Sequence, residues 1–337
     1  MTPLSLLDLS PIVEGGDAGQ ALRQSIALAQ HAERLGFRRI WYAEHHNIPS
    51  VASAATAVLI GQAAAATSTI RIGAGGVMLP NHAPLIIAEQ FGTLAALFPG
   101  RIDLGLGRAP GGDGATAHAL RRTLVGGEDR FPQDVLELMA YFEPAEPGQR
   151  VVATPGAGQD VPIWILGSST FGAQLAAMIG LPFAFASHFA PAQMMEAAML
   201  YRRLYRPSAR HPKPHLMLAM NIIAAETDEE AHVLATSLMQ AFANLRRGTP
   251  KPLAPPRADF VATLTAAEKA MLDAVLTCSA IGGVETVRRG IETFAARIGA
   301  DEIMAACTCY DANARVRSLD LTMQAWATST LARAHAA

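Results

Sequence analysis

The chain has 337 residues, 50% of them hydrophobic and 17% charged, a composition that supports a large core and excludes a disordered or fibrous protein. Lys and Arg total 27 against 29 Asp and Glu, for a net charge of -2, and no basic block is present to neutralise a phosphate backbone, so nucleic acid is excluded as the expected partner. Cys278, Cys307 and Cys309 are odd in number and lack zinc-ligand spacing; they read as reduced thiols of a cytoplasmic protein, with no metal expected.

The first residues, MTPLSLLDLSP, carry no basic leader before Asp8, so no signal peptide is expected. β-type runs then recur at 4–9, 39–43, 70–77, 102–106, 163–166, 183–186, 216–224 and 302–309. Helical patterns lie between them, among them 18–35, with Gly36 placed as its C-cap, and the alanine-rich 53–66. Eight such alternations predict one (β/α)8 barrel domain spanning 1–337, with a doubly wound open sheet as the other arrangement of the same pattern. The extra length falls in two Pro- and Gly-containing insertions, about 141–160 and 246–267. The second holds Pro250, Pro252, Pro255 and Pro256 and few large apolar residues, so it is expected to pack poorly and to cover the barrel mouth as a mobile segment. Residues 161–195 carry no charge, but Gly167, Ser168, Gly172, Gly180, Pro182 and His188 interrupt them, so no membrane span is expected there.

In a barrel the chemistry sits where strands end. The second run ends in Glu44-His45-His46, the third in Gly75-Gly76, the fourth in Gly105-Leu106-Gly107-Arg108-Ala109-Pro110 and the fifth in Gly167-Ser168-Ser169-Thr170. The fourth departs from the Gly-x-Gly-x-x-Gly of dinucleotide-binding turns, and Pro110, Gly111, Gly112 and Gly114 are expected to keep the chain irregular until about Thr116, where such a turn would open a helix at once. Arg108 suits either phosphate or a rim ion pair. Ser168 and Ser169 suit either a phosphate site at a helix N-terminus or a plain N-cap. His45 and His46, being adjacent on extended backbone, point to opposite sides, so one of them is expected to face the site and serve as acid, base or hydrogen-bond donor.

The segments Trp41-Tyr42-Ala43-Glu44-His45-His46, Ile72 to His82, Pro99 to Arg108 and Gly180-Leu181-Pro182-Phe183 resemble the bacterial luciferase-like flavin monooxygenases over about residues 4–325. The resemblance implies a (β/α)8 barrel that takes FMN, delivered reduced by a partner flavin reductase, and uses it with O2 on a small organic substrate in a homodimeric enzyme. It places His45 at the reactive flavin edge as the catalytic residue, Gly75 and Gly76 against the flavin ring, Gly107 beside it, and Arg108, Ser168 and Ser169 on the phosphate, with Arg130 as a further phosphate ligand. It also implies a cis peptide at Gly75–Gly76, or failing that at Gly76–Val77, for which a plain strand bulge is the alternative. The light-emitting members carry a reactive cysteine at the position of Gly107, a departure that argues against luminescence and leaves room beside the flavin. A hydride-transferring dehydrogenase using FMN or a deazaflavin, and a flavin-binding protein without catalysis, fit the same barrel.

Overall fold

The computed structural model describes residues 2–109, 114–120 and 130–333. Parallel strands β1 (Leu4–Asp8), β2 (Arg39–Tyr42), β3 (Arg71–Met78), β4 (Ile102–Gly107), β5 (Ile163–Gly167), β6 (Phe183–Phe185) and β7 (Leu216–Ala224) pair in chain order, and β9 (Glu302–Ala306) closes the ring between β7 and β1. The eight predicted runs are therefore the eight staves of a closed (β/α)8 barrel, and the open sheet is excluded. A ninth strand, β8 (Ser279–Gly282), was not anticipated. It pairs with the end of β7 from Asn221 to Ala224, and Asn221 also pairs with Ala306 of β9. A strand residue has only two edges, so β8 occupies the edge of β7 that β6 holds lower down through Leu216–Leu218.

Helices α1 (Ala18–Leu35), α2 (Thr56–Ala65), α3 (Pro84–Leu97), α4 (Gly114–Leu120), α5 (Phe131–Phe142), α6 (Thr170–Ile179), α7 (Met194–Leu204), α8 (Asp228–Arg246), α9 (Ala266–Val275), α10 (Val284–Ile298), α11 (Ala312–Thr328) and α12 (Thr330–Arg333), with short 3-10 helices at Leu79–Asn81, Phe260–Thr263 and Leu276–Cys278, complete the described helices. The Asp17 side chain caps α1 by accepting from the Gln20 amide, and Gly36 ends it at φ 84, as its position predicted. Among the described residues no helix is long and apolar enough to cross a membrane.

Strand alternation divides the core in two. Outward side chains such as Leu6, Ile40, Ile72, Leu104 and Phe183 pack under the helices. Inward ones form a separate cluster in the lumen, including Leu7, Trp41, Trp164, Met217 and Met304. At the N-terminal end of the strands the lumen is closed by charge. Arg39 donates to Glu302 at 2.8 Å and to Asp103 at 2.6 Å, Arg71 joins Asp103 at 2.6 Å, and the His215 ring meets Glu302 at 3.1 Å. Trp41 Nε1 adds a bond to Asp103 at 3.1 Å, and the Arg39 guanidinium lies 4.9 Å from the Trp164 ring. Burial pushes the Glu302 carboxyl up, but the His215 hydrogen bond and the Arg39 charge outweigh it and bring the pKa to about 2.

Glycines make that filling possible. A Cβ on Gly73 would stand 2.7 Å from Trp41 Nε1, and one on Gly105 would stand 2.3 Å from the Ala74 carbonyl oxygen and 2.7 Å from Leu166. Gly105→Ala is accordingly expected to cost about 1–3 kcal/mol through overpacking. Gly107→Ala, whose new Cβ would meet nothing nearer than the Val77 carbonyl oxygen at 3.8 Å, should stay within about 0.5 kcal/mol of the parent. Denaturant titration of both variants checks the contrast, and equal losses would refute this account of the β3–β4 contact.

The insertion at 246–267 corrects an expectation. Leu253, Phe260 and Leu264 are buried in it. Leu253 exchanges backbone bonds with Ile12 and Glu14 at 2.9 and 2.8 Å, and the Arg257 amide bonds Thr236 at 2.8 Å. Three well-spaced apolar anchors and these bonds suffice to pack a proline-rich segment that looked unable to pack. The β1–α1 and β2–α2 connections join it, since Pro11 bridges Val51 and Val13 bridges Leu253. The three form a stitched collar around the C-terminal mouth.

Candidate active site

Towards the mouth the lumen side chains shrink to Ala43, Gly75, Ala186 and Ala306, and the space they leave is a cavity of about 290 Å³. Its outer wall is apolar: Leu238, Phe242 and Leu245 of α8, with Ile48, Val51 and Leu253 of the collar. Into this wall project His45 after β2, His188 after β6, Asn221 of β7 and Arg315 of α11. The expected cis peptide joins Gly75 to Gly76. Gly75 lines the cavity. Gly76 instead turns to β4, where a Cβ would meet the Gly105 carbonyl oxygen at 2.7 Å.

The two histidines after β2 do point apart. His45 is half-buried beside the cavity, and its enclosed Nδ1 has no hydrogen-bond partner among the described residues. Burial lowers its pKa against the opposing pull of the Ala43 carbonyl and the Glu44 carboxylate. His188 is half-buried, its enclosed Nδ1 is likewise unpartnered among the described residues, and desolvation together with His45 brings its pKa down to about 4. Both rings are therefore neutral at pH 7. Because His188 folds neutral while an unfolded histidine titrates near 6.5, its contribution to stability is complete above that pH and is lost as pH falls towards 4. Between pH 7 and 5 the parent should lose about 2 kcal/mol more unfolding free energy than His188→Phe; matching pH slopes would contradict the burial argument.

His46 faces the other way, onto Glu44. One oxygen of that buried carboxylate accepts from His46 Nε2 at 2.7 Å and from His82 Nε2 at 2.8 Å, while the other accepts from the Met78 amide at 3.0 Å. A carboxylate only accepts, so both imidazoles carry their proton on Nε2. Burial raises the Glu44 pKa, but the His82 and His46 bonds prevail and lower it. The Glu44 amide also bonds the Gly76 carbonyl at 3.2 Å. Glu44 thus ties the end of β2 to the irregular end of β3, holding Gly75 where it lines the cavity.

The other expected residues gather at the ends of β4 and β5, which pair through Gly107 and Leu166. The Arg108 guanidinium lies 4.2 Å over the ring of Phe171 in the first turn of α6. Ser169 is the N-cap residue of α6 but its side chain makes no capping bond. Among the described residues no carboxylate lies within ion-pair distance of Arg108, so the rim ion pair is not formed there. Arg108, Ser168, Ser169 and the unsatisfied amides of a helix start converge as donors suited to an anion. The room expected beside Gly107 is present. Arg130 is exposed at the start of α5 and pairs with Asp134 at 3.8 Å. Residues 110–113 fall outside the described residues, and α4 begins at Gly114, earlier than the irregular stretch was expected to end.

The family model described as luciferase-like monooxygenase matches residues 3–302. The chain belongs to the luciferase-like monooxygenase family. It is an oxidoreductase. A luciferase-like monooxygenase of Escherichia coli (strain K12) is 50% identical over 319 residues, covering 95% of each chain. Among solved structures, apo-MsnO8 superposes with a TM-score of 0.90 at 33% identity, covering 97% of this chain and 98% of that one. The FMN complex of the oxygenating constituent of 3,6-diketocamphane monooxygenase from Pseudomonas putida, a type II Baeyer–Villiger monooxygenase, has the same fold, with a TM-score of 0.72 at 17% identity over 96% and 97% of the two chains.

In this family member four polar residues of the site were given no role from the sequence. Glu44 stood inside a quoted motif, but its partner His82 is 38 residues away. His188 and Asn221 follow or sit in apolar runs with no motif around them, although a histidine just past a predicted strand was a usable signal. Arg315 comes from a helix, where it holds Asp8 at 2.8 Å across the mouth.

Proposed function

We propose that this protein is an FMN-dependent monooxygenase that uses reduced flavin and O2 on a small, largely apolar organic molecule. The observation that carries the reading is the Arg108 cation, with no carboxylate partner among the described residues, at the uncapped start of α6, on the same barrel rim as a cavity lined by two histidines whose Nδ1 atoms have no partner among the described residues. A single such cluster of donors among the described residues would suit a flavin with one terminal phosphate; the camphane relative of the same fold is described with FMN. Bound reduced flavin would supply the electrons for oxygen activation.

The chain's own residues do the rest. Arg108 and the α6 amides hold the phosphate, with Ser168 and Ser169 as additional hydroxyl donors. Gly75, without a side chain, lets the backbone approach a flat ring. His45, neutral and desolvated, holds or moves a proton at Nδ1. The apolar collar and α8 keep bulk water from the reacting centre. The fourth strand turn lacks the dinucleotide pattern, which supports delivery of reduced flavin by a separate reductase rather than reduction by a nicotinamide cofactor bound in that turn.

Anaerobic titration with reduced FMN, FAD and a deazaflavin, followed by admission of labelled O2 with candidate substrates, tests the reading. FMN should bind tightest and label should enter product. Preference for the deazaflavin, with turnover in the absence of O2, would establish the hydride-transfer alternative. Arg108→Ala should weaken FMN about 10- to 100-fold, the worth of a charge-assisted bond, and leave riboflavin nearly unaffected. Equal losses for both ligands would remove Arg108 from the phosphate site.

A further inference from the structure

Below the mouth cavity lies a second, smaller chamber of about 40 Å³. It shares Leu7, Gly75, Ala186 and His188 with the cavity above and is otherwise enclosed by apolar lumen side chains, chiefly Trp41, Leu166, Met217, Ala219 and Met304. We propose that this chamber is a binding site for dioxygen, a gas-sized apolar ligand held directly beneath the reaction cavity. The proposal rests on the reading of the protein as a flavin-dependent oxygenase.

Size, polarity and position carry it. An engineered cavity of about 150 Å³ holds benzene, so a space of about 40 Å³ is left for a diatomic or a noble gas. Water is disfavoured, since a buried water needs two to four polar partners. Trp41 Nε1 is already spent on Asp103 at 3.1 Å, and of the two unpartnered ring nitrogens in this region, those of Trp164 and His188, only His188 belongs to a residue lining the chamber, fewer polar partners than a water needs. Below the tryptophans the Arg39–Asp103–Glu302 layer seals the barrel. Exchange therefore runs through the boundary formed by Leu7, Gly75, Ala186 and His188. An apolar gas entering the mouth partitions downward into the dry chamber and returns to the cavity past Gly75 and His188, where the chemistry is placed.

Crystals of the protein pressurised with xenon, a gas of similar polarity, should show one xenon among Trp41, Met217 and Met304. Ala219→Leu, which fills the chamber, should abolish that site, and the reaction of O2 with the reduced, FMN-loaded protein should slow at least fivefold while FMN affinity stays within twofold. Met304→Ala enlarges the space and should raise xenon occupancy, which keeps the test open if the leucine variant fails to fold. A chamber that excludes xenon, or that holds ordered water or a substrate chain, overturns the proposal. So does an unchanged O2 rate in a well-folded Ala219→Leu. If the protein binds no flavin, the functional reading fails separately, and xenon occupancy alone then decides whether the gas site exists.

Discussion

Arg39→Ala is expected to lower the unfolding free energy by about 3–5 kcal/mol, because it takes the one close arginine from buried Glu302 and leaves buried Asp103 with Arg71 alone. Asp103 and Glu302 are fully buried and each is bonded to Arg39 within 2.8 Å. Removing the cation leaves Glu302 to Ser5, His215 and the more distant Arg38 at 3.8 Å, and Asp103 to Trp41 and the half-buried Arg71, which together do not offset the desolvation of both carboxylates. The cost therefore comes from uncompensated charge rather than from a favourable net worth of the pairs. Replacing Arg39, Asp103 and Glu302 together by Met, Leu and Leu should recover much of the loss. Urea unfolding of the single and triple variants measures both numbers; a loss below 1 kcal/mol for Arg39→Ala would show that water reaches this layer.

His45→Ala is expected to slow the reaction of the FMN-loaded, reduced protein with O2, or the yield of oxygenated product, by about 10²- to 10⁴-fold, the range for a positioned acid or base. FMN affinity should change little, because the proposed anchor is Arg108 at the other side of the site. The vacated volume opens on a cavity of about 290 Å³, so free imidazole added to the variant should restore part of the rate. Stopped-flow absorbance with product analysis reads the effect. Unchanged kinetics, with unchanged yield, would return His45 to a packing role and transfer attention to His188.

The barrel was legible because its lumen and its helix-facing surface are both apolar, which makes each stave a short continuous hydrophobic run. Ser279–Gly282 escaped for the converse reason: it is four residues long and only half buried, with no run to announce it. The insertion was misjudged because composition counts apolar residues and not where they land; Leu253, Phe260 and Leu264 are few but well spaced. In the site, the strand-end reading found His45, Gly75 and Arg108, each close to the stave that positions it. The glycines were harder. Gly76 was expected to lie against a flat ligand, and the structure instead uses it, with Gly105, to bring β3 and β4 together beside Leu166. Sequence spacing cannot separate those two demands, since both ask for a missing Cβ.

The change of neighbour along β7 bears on how such an enzyme acquires new substrates. Up to Leu218 the strand is held by β6, and from Asn221 onward the same edge belongs to β8. The seam between them is spanned by one amide, as Asn221 Nδ2 donates to the His188 carbonyl at 2.8 Å and to Ser279 at 3.3 Å. Here alone among the described staves the ring has a gusset, and α8, whose side chains form the apolar wall, springs from the strand just above it. Substitutions on α8 or in the stretch 250–253 can reshape that wall while the ionic base and the His45–Gly75 side keep their geometry. Variation in this lineage has a place to accumulate without renegotiating the chemistry, and directed evolution of specificity would do well to begin on either side of that seam.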